Sequence, residues 1–126
     1  MLKTLEQERA DYAWECIQDV KNEKDKQTRK NYNSYVKNSL ALIQAAGLGH
    51  TLAFYYNKKR KNERAYELLY NHIDEWLKKR LTNNQDSLKW IIKGASSIKV
   101  LQATREVIAL LNWMKRFAEA ELEEVT

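Results

Sequence analysis

No proline occurs anywhere in this chain, and that absence is its strongest constraint on folding. Proline is the residue that ends helices most effectively, and glycine, the next strongest breaker, occurs only at Gly47, Gly49 and Gly94. A chain of 126 residues can bury a hydrophobic core without a disulfide or a metal ion to stabilise it. The sequence therefore predicts an all-α fold, a single compact helical domain spanning residues 1–126.

Apolar residues recur every three or four positions along most of the chain, as they do on one face of a helix. We expect the last helix to be the longest and to lie at the centre of the bundle, because it carries two apolar stripes. The first is Leu101, Thr104, Ile108 and Leu111, and the second is Val107, Leu110, Met114 and Phe117. Once the stripes are packed, we expect no large apolar face and a monomeric isolated chain. The spacing, capping residues and glycines predict about six helices, over residues 5–20, 28–46, 51–59, 63–81, 87–92 and 97–121. Thr4 and Gln7 have the spacing of a capping box for the first helix, and Asp86 or Ser87 can cap the fifth.

The segment Gly47-Leu48-Gly49 raises the question of a phosphate-binding loop. A dinucleotide-binding loop requires G-x-G-x-x-G after a strand, and a P-loop requires G-x-x-x-x-G-K followed by serine or threonine. Neither pattern is completed, because the next glycine is Gly94 and a predicted helix precedes the segment. The sequence favours a helix end at Gly47 and a tight turn at Gly49, which leaves the following amides available to one phosphate oxygen.

Few side chains suit catalysis or metal binding. Cys16 is the only cysteine, His50 and His72 are the only histidines, and no H-x-H, H-E-x-x-H or C-x-x-C spacing occurs. Cys16 is predicted to be a buried thiol and His72 to lie at the edge of the core. His50 is predicted to lie in a turn, as a cap or an RNA contact. No nucleophile is paired with a base, so we expect no enzyme activity, no metal site and no cofactor.

Positive charge is concentrated in the middle of the chain. Residues 24–61 carry nine bases and one acid, a net charge of +8. Residues 1–23 carry six acids and three bases, a net −3, and residues 119–126 carry four acids, a net −4. This polarity predicts a folded body that presents one basic surface. Helix C-termini also favour basic side chains, so solvated helix ends are the alternative explanation.

Three clusters of bases are candidate RNA contacts, since their excess charge suits electrostatic binding of a nucleic-acid backbone. Tyr32, Tyr55 and Tyr56 lie near these clusters and are candidates for stacking on bases, although their helical spacing also suits a core. Lys115 and Arg116 form a smaller fourth cluster. The predicted RNA-binding residues are Lys24, Lys26, Arg29, Lys30, Lys58, Lys59, Arg60, Lys61, Arg64, Lys78, Lys79 and Arg80.

Four segments, in order along the chain, resemble one known family, the small all-helical subunit of the Cmr-type (type III-B) CRISPR RNA-guided effector complex. The segment through Gly47-Leu48-Gly49 is the most specific of them. The segments are LEQERADYAWE at 5–15, YNSYVKNSLALIQAAGLGHTLAFY at 32–55, AYELLYNHIDEWL at 65–77 and ALLNWMKRFAEAELE at 109–123.

The resemblance implies a compact helical bundle without catalytic activity of its own. Copies are expected to stack along a helical ribonucleoprotein, beside its repeated backbone subunit and its large subunit. They are expected to help hold guide RNA and target RNA during antiviral interference. Cleavage of target RNA would belong to the backbone subunit, and signalling and DNA cutting to the large subunit.

Two other functions remain open at the level of sequence. A protein-only helical adaptor would use the basic face to dock an acidic protein partner. A small DNA-binding regulator would need a recognition helix, and the segment after Gly49 has few base-reading side chains. The charged start MLKTLEQERADYA predicts no signal peptide, and no apolar run reaches the about 20 residues of a membrane span. We therefore expect a cytoplasmic protein.

Overall fold

The computed structural model describes residues 2–123, which form five helices joined by short turns. No strand occurs in that part of the chain, so the predicted all-α class is confirmed. The predicted domain 1–126 extends to Met1 and to residues 124–126, which lie outside the described range. The helices are α1 (Leu5–Lys21), α2 (Lys26–Arg60), α3 (Arg64–Arg80), α4 (Ser87–Lys93) and α5 (Ser97–Glu121).

Side-chain caps fix where several of these helices begin. Thr4 opens α1 with the predicted capping box: its hydroxyl accepts a bond from the Gln7 amide at 3.1 Å, and the Gln7 side chain accepts one from the Thr4 amide at 2.8 Å. Asp86 caps α4 by accepting from the Lys89 amide at 3.1 Å, as predicted. Ser96 caps α5 in the same way. These local bonds explain why the predicted starts of α1, α4 and α5 agree with the structure.

Gly47 kinks α2 without ending it, so the predicted count of six helices is wrong. Its backbone adopts φ 87° and ψ 163°, which is not helical, yet the helix resumes at the next residue. Positive φ is accessible to glycine because it has no Cβ. The Thr51 hydroxyl donates to the Gly47 carbonyl at 2.8 Å across the kink. With 35 residues against 25, α2 and not α5 is the longest helix.

Side-chain bonds show how the helices run relative to one another. Arg9 and Gln18 of α1 bind Glu106 and Glu121 of α5, so α1 and α5 run in the same direction. Helix α3 runs against α1, because its last residue, Arg80, reaches the start of α1. Helix α2 packs against all four other helices, most extensively against α3. The turn between α1 and α2 therefore lies at the same end of the bundle as the turn between α2 and α3.

One hydrophobic core draws on all five helices. At its edge, Glu106 accepts bonds from the Arg9 guanidinium at 2.8 and 2.7 Å and from the Trp76 indole at 2.8 Å. Buried Asp74 of α3 accepts two bonds from Ser87, from its amide at 2.9 Å and its hydroxyl at 2.6 Å, which holds the start of α4. No helix among residues 2–123 is both long enough and apolar enough to cross a membrane.

An exposed apolar patch of three side chains remains at the end of α4 and the start of α5. Ile92 is 67% exposed, Ile98 68% and Leu101 49%. They lie at the end of α4 and the start of α5, where no other element among the described residues covers them. Leu101 was predicted to belong to a buried stripe of α5, and that assignment is wrong. The buried stripe of the helix instead runs through Ala103, Val107, Leu110, Leu111, Met114 and Ala118.

Candidate nucleic-acid interface

Two of the three predicted basic clusters meet at one end of the bundle. Arg64 donates two bonds to the carboxylate of Glu23, from Nε at 2.9 Å and from Nη2 at 3.1 Å. The Arg64 guanidinium lowers the pKa of Glu23 below its usual value and keeps the carboxylate charged. Arg29 donates to the Glu23 carbonyl at 2.5 Å. The basic end so formed consists of Lys24, Lys26, Arg29, Lys30, Lys58, Lys59, Arg60, Lys61 and Arg64.

A tight turn presents the second half of the basic end to solvent. Asn62 adopts φ 62°, a left-handed conformation that asparagine tolerates better than most residues. The Glu63 amide then donates to the Lys58 carbonyl at 3.2 Å, which closes the C-terminus of α2 as a Schellman motif does. Arg60 and Lys61 lie on the outside of this turn and are exposed.

The bases of this end divide into two groups by whether a neighbour already engages them. Arg64 is held by Glu23 and Glu67, and Lys59 donates to Asn71 at 2.7 Å while its ammonium lies 5.0 Å from the Tyr70 ring centre. A second group has no hydrogen bond or ion pair from its side chains to any of residues 2–123, and is therefore available to a ligand. This unpaired group is Lys24, Lys30, Arg60 and Lys61.

The third predicted cluster is not part of this surface. Helix α3 has 17 residues, so Lys78, Lys79 and Arg80 lie about 21 to 24 Å from its N-terminus. Lys78 pairs with Asp74 at 3.2 Å, and Arg80 binds Glu8 and covers the Trp76 ring at 4.7 Å. The Lys79 ammonium lies 5.6 Å from the Tyr12 ring centre. Lys79 and Arg80 therefore join α3 to α1, and Lys78 is paired within α3.

Two acidic residues near the C-terminus are also engaged, Glu121 and Glu123. Glu121 accepts from Gln18 at 3.0 Å and lies 3.6 Å from the ammonium of Lys21. Glu123 pairs with Lys37 at 2.6 Å. Glu124 lies outside the described residues. The C-terminal end of α5 is therefore tied to α1 and α2.

Two of the three tyrosines proposed to stack on bases are buried. Tyr32 is 0% exposed and Tyr55 2%, so neither ring can reach a ligand, and the alternative that their spacing suits a core is confirmed for both. The Tyr55 hydroxyl contacts Ser39 at 2.5 Å, and burial raises the pKa of this phenol. Tyr56 retains an exposed edge. Phe54, the residue before Tyr55, is 41% exposed.

His72 and Cys16 serve the core, as predicted. The His72 Nε2 atom lies 3.0 Å from the Asp19 carboxylate, an acceptor, so Nε2 carries the proton and Nδ1 accepts from the Tyr32 hydroxyl at 2.7 Å. Burial lowers the pKa of His72, although Asp19 opposes the change. Burial raises the pKa of the Cys16 thiol to about 12, so the thiol stays protonated at neutral pH. His50 lies within α2 and is exposed, not in a turn.

An apolar groove opens inside the kink of α2. The elbow groove has a volume of about 440 Å³ and is lined by Tyr35, Asn38, Leu42, Phe54, Tyr55 and Tyr66, with two alanines. Tyr35 and Tyr66 are stacked, with ring centres 3.8 Å apart and planes at 12°. Phe54 meets Tyr66 edge to face at 5.5 Å. The groove is therefore walled by aromatic rings from α2 and α3.

Among residues 2–123 no three His, Cys, Asp or Glu side chains converge in a way that could hold a metal ion. The fold and the basic end define a class, that of small all-α proteins with a positively charged end and a buried, hydrogen-bonded histidine. A family model described as CRISPR-associated protein (Cas_Cmr5) matches residues 5–121. The chain belongs to this family, which confirms the resemblance drawn from its four segments.

Two relatives agree with this assignment. The CRISPR system Cmr subunit Cmr5 of Thermus thermophilus is 28% identical over 113 residues, which are 90% of this chain and 94% of that protein. The crystal structure of a CRISPR-associated Cmr5 family protein from the same organism superposes with a TM-score of 0.77 at 26% identity. That match covers 97% of this chain and 100% of the other.

Proposed function

We propose that this chain is a non-catalytic small subunit of a type III-B CRISPR ribonucleoprotein, which stacks along the complex and helps hold guide and target RNA. Its family supports a place in a multisubunit Cmr complex. The expected partners are the repeated backbone subunit, the large subunit, further copies of this chain and both RNAs. The expected compartment is the cytoplasm.

The unpaired group of the basic end is the observation that carries the RNA part of this proposal. The four cations lie in or near the two connections that flank α2, and Glu23, which links these connections, is already bound to Arg64. Unpaired lysines and arginines lower the free energy of a nearby phosphate backbone by releasing its condensed counterions. Such contacts position RNA without reading its sequence. This suits a subunit that must accept any guide.

A charge reversal in the assembled complex tests the proposal. Replacing all four residues of the unpaired group by glutamate should weaken target RNA binding and make it less dependent on salt. The slope of log affinity against log salt should fall by about one for each lost phosphate contact. Filter binding over a range of salt concentrations measures both. The fold should survive, because these side chains make no hydrogen bond or ion pair within residues 2–123.

The matched control reverses four other exposed bases that also lack partners among the described residues, on α4 and the first half of α5. Equal losses of RNA binding from both sets would mean that net charge, not the basic end, attracts RNA. Unchanged binding after reversal of the unpaired group would remove this surface from the proposal. The control residues are Lys89, Lys93, Lys99 and Arg105.

The exposed apolar patch favours a second candidate function, a protein-only adaptor. Ile92, Ile98 and Leu101 are exposed, which suits a protein partner with apolar side chains. Under this reading, Ile98→Ser would remove the subunit from the complex in the absence of RNA. Under the same reading, reversing the charge of the basic end alone would leave the affinity of the complex for RNA unchanged.

A further inference from the structure

We propose that the elbow groove binds an unpaired nucleobase of the RNA strand that the basic end attracts. This inference rests on the proposed function and adds a site to it. The basic end supplies contacts to phosphate, whereas the elbow groove would supply a contact to a base. The two are adjacent along α2, because Phe54 in the groove lies about one helical turn before Lys58.

The kink at Gly47 creates the space. A straight helix would carry residues 35–45 and Phe54 along one axis and leave no concave surface between them. Positive φ at Gly47 turns the second arm of α2, so that Phe54 faces the same cavity as Tyr35 and Leu42. A Cβ added at Gly47 would meet no atom within 4 Å, so the glycine is required by its backbone angle and not by crowding.

The walls have the chemistry that a base requires. Aromatic rings bind nucleobases by stacking, and the interaction tolerates any base because each has a π face. The Tyr35–Tyr66 pair is fixed by its own stacking, and Phe54 keeps 41% of its surface open. Asn38 is exposed at the groove, and its amide can both donate to and accept from the edge of a base. A base would therefore meet an apolar slot with one adaptable polar group.

Charge at the rim favours a nucleotide over an apolar peptide side chain. The Lys58 ammonium lies 5.7 Å from the centre of the Phe54 ring. Its ion pair with Glu63 is long, at 3.9 Å, so the ammonium is available to a phosphate. Arg60 and Lys61 follow within one turn and are unpaired among the described residues. A ring with adjoining cations is the arrangement found where proteins bind single-stranded nucleic acid.

The experiment compares two probes on the full-length protein at low salt. One is a fluorescent uridine oligoribonucleotide of about ten nucleotides, and the other is the same backbone without bases. The unaltered protein should bind the uridine strand at least about fivefold more tightly, as expected for one stacked base. Phe54→Leu keeps an apolar side chain but removes the ring, and should bind both strands equally. Circular dichroism confirms that the variant is folded.

The control is Trp14→Leu, because Trp14 is 40% exposed on α1, outside the groove, and its loss should leave the fivefold difference intact.

If Phe54→Leu keeps the full preference for the uridine strand, the groove does not bind a base. If the unaltered protein binds both strands equally, this inference fails while the basic end stands. If it binds neither, the proposed function fails as well. Loss of a protein subunit from the complex of Phe54→Leu, with unchanged oligonucleotide binding, would overturn the inference in favour of protein docking.

Discussion

Similar runs of basic residues flank the two ends of α3, and their surroundings differ. At the C-terminal end, Lys78 pairs with Asp74, and Arg80 is bound by Glu8 and lies over Trp76. At the N-terminal end, Arg60 and Lys61 have no partner among residues 2–123. A run of bases is thus available to a ligand only where the fold brings no carboxylate or aromatic ring within reach.

The direction of α1 explains why the two ends differ. Because α1 runs against α3, its acidic first turn meets the C-terminal end of α3 and the residues that follow its last turn meet the N-terminal end. These residues contribute Glu23, and Arg64 binds its carboxylate with two bonds. No acid within the described chain engages Arg60 or Lys61. The bases at the C-terminal end of α3 are therefore engaged within residues 2–123, whereas Arg60 and Lys61 remain available to a ligand.

The largest expected effect is on stability, at the C-terminal end of α3. Glu106→Ala should lower the free energy of unfolding by about 3 kcal/mol, because the part-buried Arg9 guanidinium and the Trp76 indole lose their acceptor. Arg60→Ala at the basic end should change it by less than about 0.5 kcal/mol. Urea denaturation followed by circular dichroism measures both. Equal losses would show that the two ends do not differ in this way.

A smaller effect should appear when each end is neutralised in turn. Changing residues 78–80 to glutamine should cost about 1 kcal/mol of stability, since it removes partly exposed ion pairs and cation–π contacts. RNA affinity should be unchanged. Changing Lys30, Arg60 and Lys61 to glutamine should do the reverse, weakening RNA binding with stability preserved. Thermal melting and filter binding on the same two variants would sharpen the comparison, and a loss of RNA binding by the first variant would contradict it.

The smallest effect is a dependence of stability on pH. Arg9 holds the pKa of Glu106 below its ordinary value of 4.5, so the carboxylate stabilises the fold above that pH. This contribution is lost as the pH falls through the lowered pKa. Glu106→Gln should therefore flatten the decline of the urea midpoint between about pH 5 and pH 3. Glu23→Gln should flatten it less, because Arg64, its partner, is more exposed than Arg9 and the pair is better screened by solvent. An unchanged decline in both variants would argue against these pairs as its cause.

Local sequence signals predicted most of the fold. Thr4, Asp86 and Gly94 mark helix ends by capping chemistry that acts within one turn, and the bounds 97–121 of α5 agree fully with the prediction. The break at Gly47 was also placed correctly. The effect of this break on the helix was not predicted correctly, because positive φ in one glycine is compatible both with a helix end and with a kink. Packing of both arms of α2 on the rest of the bundle decides between them, and that packing is not a local property.

The candidate site was less predictable than the fold. Charge counts found the basic end, yet they could not separate Arg60 from Arg80, because Glu8, the carboxylate that engages Arg80, is distant from it in sequence. The same limit applies to the aromatic residues. Phe54 and Tyr55 are adjacent and both apolar enough for a core, and only the turn of the second arm of α2 decides which is buried.

Asp74 gives α4 a role that its length alone would not permit. A helix of seven residues is too short to persist by itself in water, because few intrahelical bonds offset the cost of nucleation. Since Asp74 of α3 binds the first residue of α4 through both its amide and its hydroxyl, α4 exists only while that part of α3 is folded. The two helices should therefore form one cooperative unit, in which α4 opens whenever α3 opens. The amide protons of α4 should then exchange with solvent at a rate at least as high as the rate at which α3 opens.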